Sequence, residues 1–130
     1  MKVRIFIVIA IALLLTTLVV VEQIYMINTM QFLQTESAVI KNEIFDKNDI
    51  NNAFLIEKIN NFDNSWRKKE SLLCLLVNHK DMEKVGEQIE KLKVLIIQND
   101  KKQAENEAEL LCYYVDSYEH FVSLSFQNIF

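Results

Sequence analysis

The chain has 130 residues, 51% hydrophobic and 25% charged, with one Gly, no Pro, two Cys and two His, the profile of a folding chain of single-domain size. Tight turns, strand bulges and phosphate-cradling loops need residues that tolerate special backbone angles. A sheet-rich fold is therefore disfavoured, and Gly86 alone excludes both the three-glycine dinucleotide fingerprint and the P-loop.

Lys2 and Arg4 lead into Ile5 to Val21, 17 residues whose only polar members are Thr16 and Thr17. At ~1.5 Å per residue the run covers about 25 Å, a little short of a hydrocarbon core of roughly 30 Å. Apolar character resumes at Ile24, Tyr25, Met26 and Ile27, after Glu22 and Gln23. Tyr25 suits the interfacial belt and the two polar side chains can snorkel. A cleaved signal peptide would have a shorter apolar core ending at a small-x-small site, but Val19 to Gln23 contain no small residue. The expectation is an uncleaved single-pass anchor over 5–27 in the cell membrane, with residues 1–4 in the cytoplasm, held there by Lys2 and Arg4, and residues 28–130 outside it.

With Lys2 and Arg4 set aside, 12 basic residues face 18 acidic ones, a formal charge of −6 for the outer portion. That disfavours nucleic acid and anionic lipid headgroups as partners. The pairs Asn51-Asn52 and Asn60-Asn61 suggest an AT-rich coding sequence and receive no role.

Helical periodicity fills the outer portion. Ile27, Met30, Leu33, Ile40 and Ile44 mark a helix leaving the membrane, weak around Thr35 to Ser37, with a turn over Asp46 to Asp49. Asn48 or Asp49 can cap the next helix, striped by Leu55, Ile59, Phe62, Trp66, Leu73 and Leu76 with Lys69 as its one polar interruption. Asn78, His79 and Lys80 end it. Asp81 caps a third helix carrying Met82, Val85, Ile89, Leu92 and Ile96. After a break at Asn99 to Lys102, Asp100 with Gln103 resembles a capping box. The last helix presents Ala104, Ala108, Leu111, Val115, Tyr118 and Val122. Stripes this wide cannot stay in water, and short connections make consecutive helices antiparallel. The expected fold is all-α: an N-terminal transmembrane helix followed by an up-and-down bundle of three to four helices.

Trp66, Lys69-Glu70, Leu72-Leu73, Val77-Asn78-His79 leading into Met82-Glu83-Lys84, and Leu124 to Phe130 closing on Asn128-Ile129-Phe130 together resemble a family of short bacterial membrane-anchored proteins known only as a domain of unknown function. The resemblance spans nearly the whole chain. It implies a bacterial cell-envelope protein with a helical outer domain, and no established activity.

Candidates for chemistry each have a structural reading that outweighs them. His79, Asp81 and Glu83 could hold a metal with His120, but Asp81 suits a helix cap and His79 a helix C-terminus. Trp66 could line a ligand pocket, yet it lies on a core stripe. Tyr113, Tyr114 and Tyr118 fit core and rim better than a stacking platform. Ser65 and Ser71 lack a His and carboxylate at triad-compatible positions. No catalytic, cofactor-binding or metal-ligating residue is assigned, and no cofactor. With helices at 50–79, 81–98 and 100–126, Cys74 and Cys112 come to nearly the same height, where they could form a disulfide or stay as two packed thiols. The first helix runs outward and the fourth returns, so the carboxyl terminus faces the bilayer. The tail of Phe126, Ile129 and Phe130, with Phe121, either closes the bundle core or docks on the membrane interface or another membrane protein. The functional expectation is a non-enzymatic extracytoplasmic helical protein acting through contacts with a protein partner of unknown identity. The alternatives are a small envelope ligand held in the bundle core, or a divisome-like bitopic scaffold.

Overall fold

The apolar run does not end in a linker. In the computed structural model, which describes the backbone of residues 1–75 and 79–129 and the side chains of these up to His120, that of His79 excepted, one helix α1 spans Lys2–Asp46. With no Gly or Pro to break it, its 45 residues extend about 67 Å. Residues 1–21 are exposed at every position, and burial begins at Met26. The helix therefore has two environments: a bare apolar half, long and apolar enough to cross a membrane, and a half packed into protein. The predicted Ile27 lies outside the packed stripe and is exposed; the buried positions are Met26, Thr29, Met30, Leu33, Ser37, Ile40 and Ile44. The region around Thr35 to Ser37 looked weak because Ser37 occupies a core position. Its hydroxyl donates to the Gln34 carbonyl at 3.3 Å and costs the helix nothing in continuity.

Three further helices follow: α2 Ala53–Leu73, α3 His79–Ile97 and α4 Lys101–Ile129. They close a four-helix bundle in which α1 packs against α2 and α4, and α3 against the same two. Neighbours are antiparallel, so α4 runs back along α1 toward the end of the bundle from which the apolar half of α1 extends. Among the described residues there is no strand. Leu33, Ile40, Ile44, Leu55, Ile59, Phe62, Trp66, Leu73, Met82, Val85, Ile89, Leu92, Ile96, Ala104, Ala108, Leu111 and Val115 form one core, in line with the periodicity. Lys69, the polar interruption in the α2 stripe, lies over the Tyr25 and Phe32 rings of α1 at 5.8 and 5.1 Å from their centroids. Cation–π attraction and an apolar stem explain why a lysine is tolerated there. Gly86 sits inside α3, where glycine normally weakens a helix. A Cβ there would come within 3.3 Å of Trp66 Nε1, so the only glycine in the chain is a notch for the largest core side chain.

Several boundaries differ from expectation. The cap of α2 is Asn52, whose side chain accepts from the Leu55 N–H at 2.9 Å, and neither Asn48 nor Asp49 has that role. Asp49 instead accepts from the Asn51 N–H at 3.1 Å within the turn. α2 stops at Leu73 with Cys74 as its C-cap, well short of Asn78. α3 opens at His79, so His79 begins a helix and does not end one, and Asp81 lies in the first turn as a dipole-favoured anion. The predicted core positions Leu76 and Val122 lie outside the described residues. Of the Asp100-Gln103 box only the cap forms: Gln103 N–H donates to Asp100 Oδ1 at 3.2 Å and the Gln103 amide to Oδ2 at 2.7 Å, while the Asp100 N–H is taken by Leu95 O.

Asn51 and Asn52, given no role from sequence, help close the end of the bundle farthest from the apolar half of α1. α3 terminates in a Schellman arrangement, with Asp100 N–H donating to Leu95 O and Asn99 N–H to Ile96 O. Asn99 takes φ 57°, a position that usually calls for glycine. The reason is its side chain, whose Oδ1 accepts from the N–H groups of Ile50 and Asn51 at 3.0 and 3.3 Å. Asn51 returns a bond to Ile97 O at 3.0 Å. The α1–α2 turn is thereby clasped to the α3–α4 turn, seating Ile50 in the core. Asn99→Ala keeps the unfavourable angle and strands the buried Ile50 N–H, so it should cost about 2–3 kcal/mol. Asn99→Gly relieves the angle and should cost about 1 kcal/mol less; thermal melts of the two variants check the order.

Candidate functional site

Polar contacts staple the seams of the bundle. Glu36 of α1 pairs with Lys58 of α2 at 3.0 Å. Between α2 and α3, the buried Asp63 carboxylate receives Arg67 at 3.1 Å and Lys93 at 3.6 Å, and Arg67 also reaches Glu90. Between α3 and α4, buried Gln88 donates to the Glu107 carbonyl at 3.1 Å, and Lys91 pairs with the Glu107 carboxylate at 2.7 Å. The hydrogen bonds from Lys91 and Gln88 hold Glu107 below the usual carboxylate range. These groups have structural partners and are occupied.

The α3–α4 seam nearer the apolar half of α1 is different. A half-open groove of about 300 Å³ is lined by Asp81 and Lys84 from α3 and by Tyr113, Tyr114, Ser117 and Tyr118 from α4. Helical spacing assigns the walls: Tyr114 and Tyr118 are one turn apart on the inner side, while Tyr113 stands 66% exposed at the rim. The Tyr113 and Tyr114 rings meet at 6.2 Å between centroids, an attractive tilted pair. Tyr118 is 6% exposed and its hydroxyl has no hydrogen-bond partner among the described residues, a state that costs about 1–3 kcal/mol. Burial first, and the Asp81 carboxylate second, push its pKa up to about 12. The hydroxyl therefore stays protonated, a donor and acceptor held ready at the foot of an aromatic groove.

A second, shallower cleft lies between α2 and α3, among Asp63, Arg67, Glu70, Glu83, Gly86 and Glu90. The Trp66 indole N–H is buried against it without a partner among the described residues. Burial raises the Glu70 pKa above its ordinary value. Trp66 itself is fully buried and is packed as a core residue.

Cys74 and Cys112 are free thiols. Cys74 caps α2 beside Glu70 and Glu83, and Cys112 sits in the α1–α4 seam with Ser37, Lys41 and Asp116. The sequence placed them at one height, but the bundle puts them on different seams. Desolvation raises both thiol pKa values. His120 is exposed, the His79 side chain lies outside the described residues, and among the described residues no three His, Cys, Asp or Glu side chains gather as metal ligands. The side chains of Phe126 and Ile129, and Phe130 altogether, also lie outside the described residues.

The model of the DUF4363 family, a domain of unknown function, matches residues 20–129. The chain belongs to that family. No curated protein and no solved structure matches it. The DUF4363 region begins at Val20, where the bare apolar half of α1 is ending, and takes in every residue of the tyrosine groove. The expected membership of a family known only as a domain of unknown function is thus borne out. Of the groove residues, sequence singled out Asp81 and the three tyrosines but gave them separate roles, because Lys84 and Ser117 join them only through the α3–α4 register.

The Tyr118 pKa is raised on folding, from about 10 to about 12. Stability from its neutral hydroxyl is full below pH 10 and declines as pH rises toward 12. Tyr118→Phe should flatten that alkaline decline in thermal melts. At pH 7 it should melt at or above the native temperature, since the deleted hydroxyl has no partner; a clear drop at pH 7 would mean that the hydroxyl is bonded.

Proposed function

We propose that this DUF4363 protein is a non-enzymatic, single-pass anchored protein of the bacterial cell envelope that holds a partner protein in the α3–α4 groove outside the cytoplasm. The observation that carries the reading is the groove itself: tyrosine-walled, open on one side, with an exposed aromatic at the rim and an unpartnered hydroxyl at its foot. Tyrosine is enriched at protein interfaces because it brings a large apolar face and a polar tip at low entropic cost. Asp81 and Lys84 add one charge of each sign for orienting a partner. Acid–base catalysis would call for a group poised near neutral pH, whereas Tyr118 is pushed far above it. A small ligand in the bundle core is the weaker reading, because the core positions are filled by packed side chains and the groove is open.

Anchoring is supported by the exposed apolar half of α1. More than a dozen contiguous apolar side chains would not be left in water by a soluble protein. Lys2 and Arg4 favour a cytoplasmic amino terminus. A reporter enzyme active only outside the cytoplasm, fused after Phe130, should be active and sediment with membranes; a reporter silent in that position would reverse the orientation.

The docking reading is tested in living cells with a photoreactive amino acid at Tyr113 and, as a control, at exposed Glu57 on α2. A discrete protein adduct is expected from Tyr113 alone, and it should fade when Asp81 and Lys84 are both replaced by Ala. Equal labelling from the two positions would remove the groove as the contact surface.

A further inference from the structure

We infer that the bundle makes a second contact with the bilayer, in which the corner at the end of α2, through Leu72 and Leu75, enters the interfacial layer of the membrane that α1 crosses. The inference rests on the reading of α1 as an anchor. Leu72 is 53% exposed and Leu75 is 81% exposed, two large apolar side chains uncovered within one helical turn while Leu73 between them is buried.

Their height follows from contacts between α1 and α2. Phe32 meets Phe62 at 5.6 Å between ring centroids, Glu36 pairs with Lys58, and Lys69 lies over Tyr25. Each step along α2 is one step back along α1. Carried to the end of α2, this register brings Leu72 level with Glu22 and Cys74 level with Val20, to within a helical turn. The exposed corner thus comes down to where the apolar run of α1 stops.

Two physical constraints hold it there. First, α1 is helical without interruption from Lys2 to Asp46, so the bundle cannot rise away from the bilayer on a flexible linker. Second, the run from Ile5 to Val21 covers about 25 Å against a hydrocarbon core of roughly 30 Å. A span that is too short thins the bilayer or draws its flanking residues inward. The residues drawn inward are those level with Glu22, and there Glu22 and Gln23 are half-covered by the bundle while Leu72 and Leu75 face outward. An apolar corner at this height completes a short span; a polar one would oppose it. Of the surfaces that could cover Leu72 and Leu75, the lipid interface is the one that the geometry already brings to them.

The test uses the full chain in phosphatidylcholine vesicles, with Cys74 and Cys112 replaced by Ala and a single nitroxide-labelled cysteine at Leu14, Leu72, Leu75 or Lys102. Collision with oxygen is compared with collision with a water-soluble nickel chelate. Leu14 reports the span, and exposed Lys102 at the distal end reports water. Leu72 and Leu75 should favour oxygen over the chelate several-fold more than Lys102 does. Chelate access at Leu75 equal to that at Lys102, with Leu14 in lipid, would overturn the corner contact and leave the anchor standing. Shielding of Leu75 from both reagents would also overturn it, by showing protein or a second copy there. A water-exposed Leu14 would overturn the anchor and the corner contact together. With the label at Leu72, adding Leu75→Asp should raise chelate access toward the Lys102 value while the melting temperature holds.

Discussion

The structure depends on the continuity of α1. One helix changes environment along its length, bare and apolar through Val21 and packed from Met26 onward, with no Gly or Pro to relieve the junction. Helical hydrogen bonding crosses that boundary without a break, so the orientation of the first half fixes the orientation of the second. The remaining helices assemble on the packed half. Neighbour relations then follow from short connections: α2 and α4 lie against α1, α3 closes the ring, and α4 returns alongside α1.

Once the helices are antiparallel, the α1–α2 and α3–α4 turns meet at one end of the bundle, its distal end. The distal end is clasped by Asn51, Asn52 and Asn99, with side chains capping a helix, bridging two turns and holding a left-handed backbone angle. Along the shaft, Lys58, Asp63, Lys93 and Glu107 tie neighbouring seams. At the opposite end the described surface shows the tyrosine groove, a Tyr118 hydroxyl without a partner among the described residues, and exposed Leu72 and Leu75.

Periodicity found the helices because burial of a stripe at 3.6-residue spacing leaves a direct mark in the sequence. It misplaced ends. Asn52 was passed over as a cap because Asn48 and Asp49 stand equally plausibly before the same stripe; only the hydrogen bond to the Leu55 N–H separates them. His79 was given to the end of α2 because Asn78, His79 and Lys80 form one polar run, and a polar run does not say which helix owns it. Ser37 and Lys69 lowered the apparent quality of two stripes. Each is accommodated by something a linear reading does not see, a backbone carbonyl in one case and two rings of a neighbouring helix in the other. The groove was legible only as separate tyrosines and an acidic helix start.

What the sequence determined by itself is what depends on local order: the apolar run, the all-helical class, the core stripes, the Asp100 cap and the return of the fourth helix alongside the first. These follow from side-chain periodicity, backbone propensity and connection length, all of which act between near neighbours. Tertiary structure alone decided that Asn99 would stand where glycine is expected, that Gly86 would make room for Trp66, that Cys74 and Cys112 would face different seams, and that Tyr118 would share a groove with Asp81 and Lys84. Each of these depends on the rotation and register of one helix against another. Register is set by the sum of many small packing contacts across the core, and no single stretch of sequence contains that sum.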